Sequence, residues 1–444
     1  MAFPGFDCAR IARALGSLCT EPGDLADAFF ERLEVTEARQ GGPDPGVRRV
    51  REEGFALRLV RGGRSWLASR DGIDDELLAR AYRQTARALP PAAPSFRGLA
   101  APAWPDAGDS GEVEELLALY GRVEHELRQR RVAFPFRLRA RRHRRELAVV
   151  GPRLLPEAQR EDFCSVEAEL PWGRWGGLFC DLAEAPAQVA TALAELFRSR
   201  EAPPPEPARR VVVLGPAAAA VLLHEAVAHT LEADTLALTG KPASAIGVQL
   251  AADVLDVLDD PERAPQPVRR TCDDEGIPVS RRWLLRAGRI EQPLADRAWA
   301  ERGEGLQPGA GRRSQRHRLP VPRSSHLELL PGASSLDELL ADAAGGVYLP
   351  EATRGRLDPL SGRFRIDAAT ARRIDESGLG DRLGPVRLSG TVGELLSAVR
   401  GVGAEAHSGG AGWCAKGGDR LPVWATAAAL RLEDVQVGPP EGAG

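Results

Sequence analysis

Two imidazoles flank a carboxylate in the run His224-Glu225-Ala226-Val227-Ala228-His229. Nitrogens to hold an ion, with a base beside them, are the parts of a hydrolytic zinc site. In the common HExxH arrangement the histidines are four residues apart and, at ~100° per residue, sit about 40° apart on one helix face. Here the pattern is HExxxH, and on an ideal helix five residues open the angle to about 140°. Both rings reach one ion only if the helix is locally unwound or carries a π-type bulge, expected near Ala226–Ala228.

A catalytic zinc normally takes three protein ligands and a water, so a third donor must come from elsewhere. Glu232 lies three residues beyond His229 and can reach back. Cys414 sits in HSGGAGWCAKGG (407–418), a Gly-rich run whose backbone can approach another element closely. A thiolate binds zinc strongly, which makes Cys414 the preferred third ligand. Glu232 is then a carboxylate that orients a histidine, with Asp234 assisting. Glu225 takes the place of the general base that accepts a proton from water and returns it to a leaving amine. His407 is a candidate for lining the pocket or donating to an oxyanion. The competing reading makes His224 and His229 satisfied core histidines and Cys414 a small buried hydrophobe. The other five of the six cysteines take that last reading.

The elements that must position these groups follow from periodicity. Residues 24–35 and 55–68 read as strands around a loop, the second a hairpin turning at Gly62 and Gly63. Helices are expected over 74–89, 111–130 and 184–199, and strands over 132–170. The Pro- and Ala-rich patch at 89–104 reads as loop. VVVLGP then predicts a buried strand and a turn leading into the histidine-bearing helix. From 268 onward, short apolar runs between Gly, Pro and Asp clusters read as mostly strand, closing with LPVWATAAALRLEDVQV (421–437). The fold class expected is α+β with two domains. An N-terminal α/β layered domain spans 1–200 and a Pro-rich linker 201–209. A C-terminal domain over 210–444 is mostly antiparallel β, barrel-like, and carries the metal-binding helix.

A formal charge of -4 over 444 residues gives no global reason to expect nucleic acid or an anionic membrane as partner. The run RLRARRHRR (137–145) alternates arginines with apolar residues and reads as the charged solvent face of a strand. Arg312, Arg313, His317 and Arg323 read as a solvated loop; the alternative is that some, with Arg313 and His317 as candidates, hold a peptide carbonyl or carboxylate. Six cysteines without CxxC pairing argue against a disulfide framework and for a reducing compartment. No apolar stretch approaches the ~18 residues that span a bilayer and the start shows no secretory h-region, so a soluble, cytoplasmic protein is expected.

An ordered series of motifs resembles the TldD/PmbA (TldE) peptidase family, on its TldD side. The series runs VVVLGP, LLHEAVAHTLEAD (222–234), DDEGIP (273–278), GAGRRSQRHRLPVPR (309–323), GRLDPLSGRFRID (355–367) and GGAGWCAKGGDRLPV (409–423). The resemblance implies zinc (Zn2+) held by His224, His229 and Cys414, with Glu225 as base. It implies short or unfolded peptides as substrates, in leader-peptide removal or peptide turnover. It also implies a homodimer, or a heterodimer with a TldE/PmbA-like sister subunit. Ala228 and Thr230 stand where the family commonly has Gly, and Trp413 where a small aliphatic is usual; these changes bear on substrate preference more than on metal binding. A non-catalytic scaffold with a structural zinc that binds peptide or a partner chain is the competing function.

Overall fold

The structure, a computed structural model, describes residues 7–86, 111–154, 157–240, 242–265, 268–302, 305–408 and 412–440. The patch at 89–104, the start of the Gly-rich run at 409–411 and the end of the tail lie outside them. The first half is built on β1 (Leu25–Gln40), β2 (Gly46–Arg61), β3 (Arg64–Asp71), β4 (Arg137–Val150), β5 (Glu157–Leu170) and β6 (Gly173–Phe179). They form one antiparallel sheet in the order β3-β2-β1-β4-β5-β6. The β2–β3 hairpin turns on Gly62 and Gly63 at φ 54° and 73°, positive values at both positions that suit the twist of the flanking strands.

The segment expected as a loop between the first two strands is mostly strand itself. Its charges are matched along the ladder: Arg51 reaches Glu34 at 3.2 Å, and Glu37 binds Arg39 and Arg141. The arginine run of β4 is likewise half-buried rather than a plain solvent face, with Arg142 on Asp162 at 2.8 Å and Arg144 on Glu112.

Side-chain alternation splits this sheet into two unlike faces. Ala26, Ala28 and Phe30 on β1 join Phe55, Leu57 and Leu59 on β2 beneath α1 (Cys8–Gly16) and α2 (Asp75–Ala86). Helix α1 was not expected; Asp7 caps it by accepting from Arg10 N–H, and Ile11, Ala14 and Leu15 are its buried stripe. Further along, α3 (Glu112–Gln129) and α4 (Ala185–Ser199) cover β4 and β5. The opposite face carries Asp27, Glu31, Arg58, Arg145 and Glu161, all buried.

Residues 202–206 have no helix or strand, and β7 (Ala208–Leu214) opens a second sheet of 14 strands. Its spine is the strand Asp419–Gly438, which pairs along its length with β7, His326–Leu329, Val386–Thr391, Val399–Ser408 and Gly412–Lys416. Pairing is mostly antiparallel, as expected. The barrel-like closure is corrected: the path runs open from Arg289–Ile290 to Gly378–Leu383. Closure needs two continuous neighbours per strand at one constant stagger, whereas the spine serves five partners in turn and the sheet branches. Among the described residues no helix is long and apolar enough to cross a membrane.

The charged face of the first sheet meets the second half through a buried ionic layer. Arg58 binds Asp27 and Glu275, Arg145 binds Glu31 at 2.8 Å, and Arg270 joins Glu161 to Asp274. The solvated-loop reading of the basic cluster is therefore overturned for its arginines: Arg312, Arg313 and Arg323 are 3%, 0% and 3% exposed. Arg313 lies 4.3 Å over the Phe29 ring and 3.4 Å from Asp27. Burial of so many guanidiniums is tolerable because carboxylates of both halves face them.

Candidate metal centre

Gly215 in extended conformation and Pro216 at the first helical position start α5 (Pro216–Leu222), which passes into a π-helix over Leu223–Ala228. His229 N–H donates to the His224 carbonyl at 3.1 Å, a bond spanning five residues. That wider turn brings His229 round to His224, and the two rings meet edge to face with their centroids 4.5 Å apart. Ala226, Val227 and Ala228 are fully buried in the core of the second half, so packing holds a helix form that is rare in isolation. Ala228 ends the π-helix fully buried, and Thr230 follows it half-buried in the turn beyond.

Cys414 lies on the strand Gly412–Lys416, opposite Leu421 across a hairpin that turns at Gly417 and Gly418. Its Sγ is 3.5 Å from His229 Nε2. One ligand-type atom each from His224, His229 and Cys414 lies within 4.8 Å of the others, and among the described residues this group has three members. Both ring nitrogens of His224 are closed to solvent and lack a hydrogen-bond partner. Unpartnered buried imidazole nitrogens are costly, and a mixed imidazole–thiolate set with an orphaned member fits a divalent ion such as zinc.

On the far side of His229, Nδ1 meets Glu232 Oε1 at 3.0 Å, which leaves Nε2 turned toward the thiol. Glu232 is fully buried and its other oxygen binds Lys416 and, at 3.3 Å, Arg323. Burial pushes the Glu232 carboxyl up, but His229, Arg323 and Lys416 outweigh it and hold it at about 2. Asp234 completes the cluster through Lys416 at 3.2 Å and Arg323 at 3.7 Å. Burial pushes the His224 imidazole down to about 3, with the His229 charge adding to it.

Glu225 is half-buried, and burial, aided by Glu232 against the opposing His229, raises its carboxyl above the usual range. Its side chain lies against the strand Arg354–Leu357 so closely that a Cβ on Gly355 would stand 2.2 Å from Glu225 Cγ.

Three candidates do not join the group. Arg313 belongs to the ionic layer. His317 is exposed and bonds Ser69 at 2.9 Å, and His407 is exposed beside Glu405. Sequence reasoning missed Lys416, although its place two residues after Cys414 puts both on one face of a strand. Gly355 heads the GRLDPLSGRFRID motif, but nothing in that motif points to Glu225.

The family model described as the PmbA/TldA metallopeptidase C-terminal domain matches residues 207–439. A metalloprotease of Methanothermobacter thermautotrophicus is 32% identical over 246 residues, 54% of this chain and 53% of that one. A protein named metalloprotease TldD homolog, from Haemophilus influenzae, is 31% identical over 233 residues, 51% of this chain and 48% of its own. The chain thus spans about half the length of these curated relatives. The crystal structure of TldE from Thermococcus kodakarensis matches with a TM-score of 0.72 over 97% of this chain and 99% of that one; at 17% identity the likeness is one of fold.

Proposed function

The chain belongs to the PmbA/TldD metallopeptidase family, and from that premise we propose that it is the metal-carrying, TldD-like kind of member, a zinc peptidase of short or unfolded peptides. The observation that carries this reading is the meeting of His224, His229 and Cys414 around a partnerless imidazole. These three residues hold the ion, which when bound supplies Lewis-acid polarisation of the scissile carbonyl and acidifies water. Glu225 accepts the proton of the attacking water and delivers it to the leaving amine, a role for which a raised carboxyl is suited. Glu232 fixes the His229 ring through Nδ1.

The strand Arg354–Leu357 pairs only with Arg363–Ala368 among the described residues, and its Gly355 abuts Glu225. Its open edge offers an extended peptide main-chain hydrogen bonds, a mode closed to folded proteins. Such substrates are those of leader removal or peptide turnover, in the cytoplasm, with a second copy or a TldE/PmbA-like sister completing the assembly. The structural-zinc alternative has no observation of its own, since a structural site is closed by four protein ligands and among the described residues this group has three.

The test is metal analysis with a chelator-sensitive peptide assay on wild type and Glu225→Gln. The variant is expected to keep its zinc and lose ~10²–10⁴-fold in turnover. Hydrolysis of a peptide pool at the wild-type rate would falsify the assignment of Glu225.

A further inference from the structure

We propose that Lys416 is a positioning residue that ties the arm bearing Cys414 to the turn after His229 and so sets where the thiol stands. The inference rests on the metal-site reading above and assigns a function to a side chain that the ligand set leaves unexplained.

The arm Gly412–Lys416 is five residues long, and among the described residues its one strand neighbour is the return strand from Asp419. An isolated two-stranded ribbon is marginal in water, so the arm needs contacts beyond its ladder to hold a sulfur in place. Alternation supplies them on both faces. Trp413 points to the first half, with its ring 5.2 Å from that of His143 and 5.8 Å from that of Phe163. Cys414 and Lys416 share the other face. The Lys416 ammonium reaches Glu232, Asp234 at 3.2 Å and Thr235 Oγ1 at 2.6 Å, all within six residues of His229. It bridges 182 residues of sequence to Asp234 and acts beside the 3.5 Å approach of Cys414 Sγ to His229. Arg323 also reaches Glu232, at 3.3 Å, so removing Lys416 frees the arm without leaving that carboxylate alone.

The test uses Co2+ as the probe on the full chain, reading affinity and the thiolate-to-cobalt charge-transfer band, with circular dichroism melts alongside. Lys416→Met is expected to bind Co2+ roughly 10–100-fold more weakly and to lose much of the band, and Lys416→Arg to restore both. In a Cys414→Ser background the same substitution should have little further effect, a non-additivity that general loosening does not produce. Asp234→Asn with Thr235→Val removes two of the three Lys416 partners from the other end, leaving Glu232, and must weaken the band in part, which decides the matter if Lys416→Met melts early. Full band intensity and wild-type affinity in these variants, or equal losses with and without Cys414, overturn the tether. Absence of the band in wild type instead removes the ligand set, and the tether falls with it.

Discussion

Gly355→Ala adds one methyl where the structure has no room for it. An ideal Cβ at this position stands 2.2 Å from Glu225 Cγ, 2.9 Å from Cδ and 3.0 Å from Oε1. Carbon atoms in contact prefer ~3.5 Å or more, so the nearest pair must part by about 1.3 Å. The strand cannot recede freely, because Gly355 is in register with Ile366 on its neighbour. Glu225 follows His224 inside the π-helix, so its backbone is held as well and the side chain must rotate away. Overpacking of this kind costs about 1–3 kcal/mol of stability, toward the low end when a flexible side chain yields. The effect on catalysis is larger: a displacement of ~1 Å in a reacting group costs about 10²-fold, or about 2.7 kcal/mol of barrier. The ligand atoms are untouched, so zinc content should equal that of wild type. The assay is kcat/KM on a fluorogenic peptide with zinc measured on the same sample. A zinc-replete Gly355→Ala enzyme with undiminished kcat/KM would refute both the placement of Glu225 at the reacting atoms and the closeness of this strand to it.

Glu232→Gln keeps an acceptor for His229 Nδ1 but strips the charge that Lys416 and Arg323 face; zinc affinity against a chromophoric chelator should fall ~10–100-fold, and an unchanged affinity would speak against the carboxylate. The ionic layer predicts acid sensitivity. Burial pushes Asp274 and Glu161 up, but Arg270, Arg145 and Arg312 outweigh it and hold both below their ordinary 3.8 and 4.5. Carboxylates lowered by folding stabilise fully above those unfolded values, and the contribution drains away as pH falls through the folded ones. Melting temperature should therefore drop as pH falls below about 4.5, with a shallower slope for Asp274→Asn; parallel slopes in the two proteins would show that this layer does not set the acid limit.

Much of the local structure was legible because it depends on spacing within a few residues. A spacing of five positions from one histidine to the next demanded a wider helical turn, and the chain forms one with the His229 N–H on the His224 carbonyl. Paired glycines at 62 and 63 demanded a tight hairpin, and a cysteine among glycines pointed to a close approach. The helices at Leu336–Ala341 and Val392–Ser397 were equally local, each announced by a capping box, Ser335 with Glu338 and Thr391 with Glu394, but were passed over among strands. Arg312 and Arg313 show the opposite case. A run of arginines beside glycines has the composition of a wet loop, and nothing nearby says otherwise; the carboxylate that Arg313 meets lies 286 residues away on β1. The same holds for Lys416 and for Gly355, whose partners are set by how the two sheets and the hairpin stack. The open course of the second sheet also depends on one strand's five successive neighbours, which no periodicity encodes. Backbone geometry and donor chemistry are properties of short segments and could be read from letters alone. Burial of charge is a property of what faces it, and only the folded chain brings those faces together.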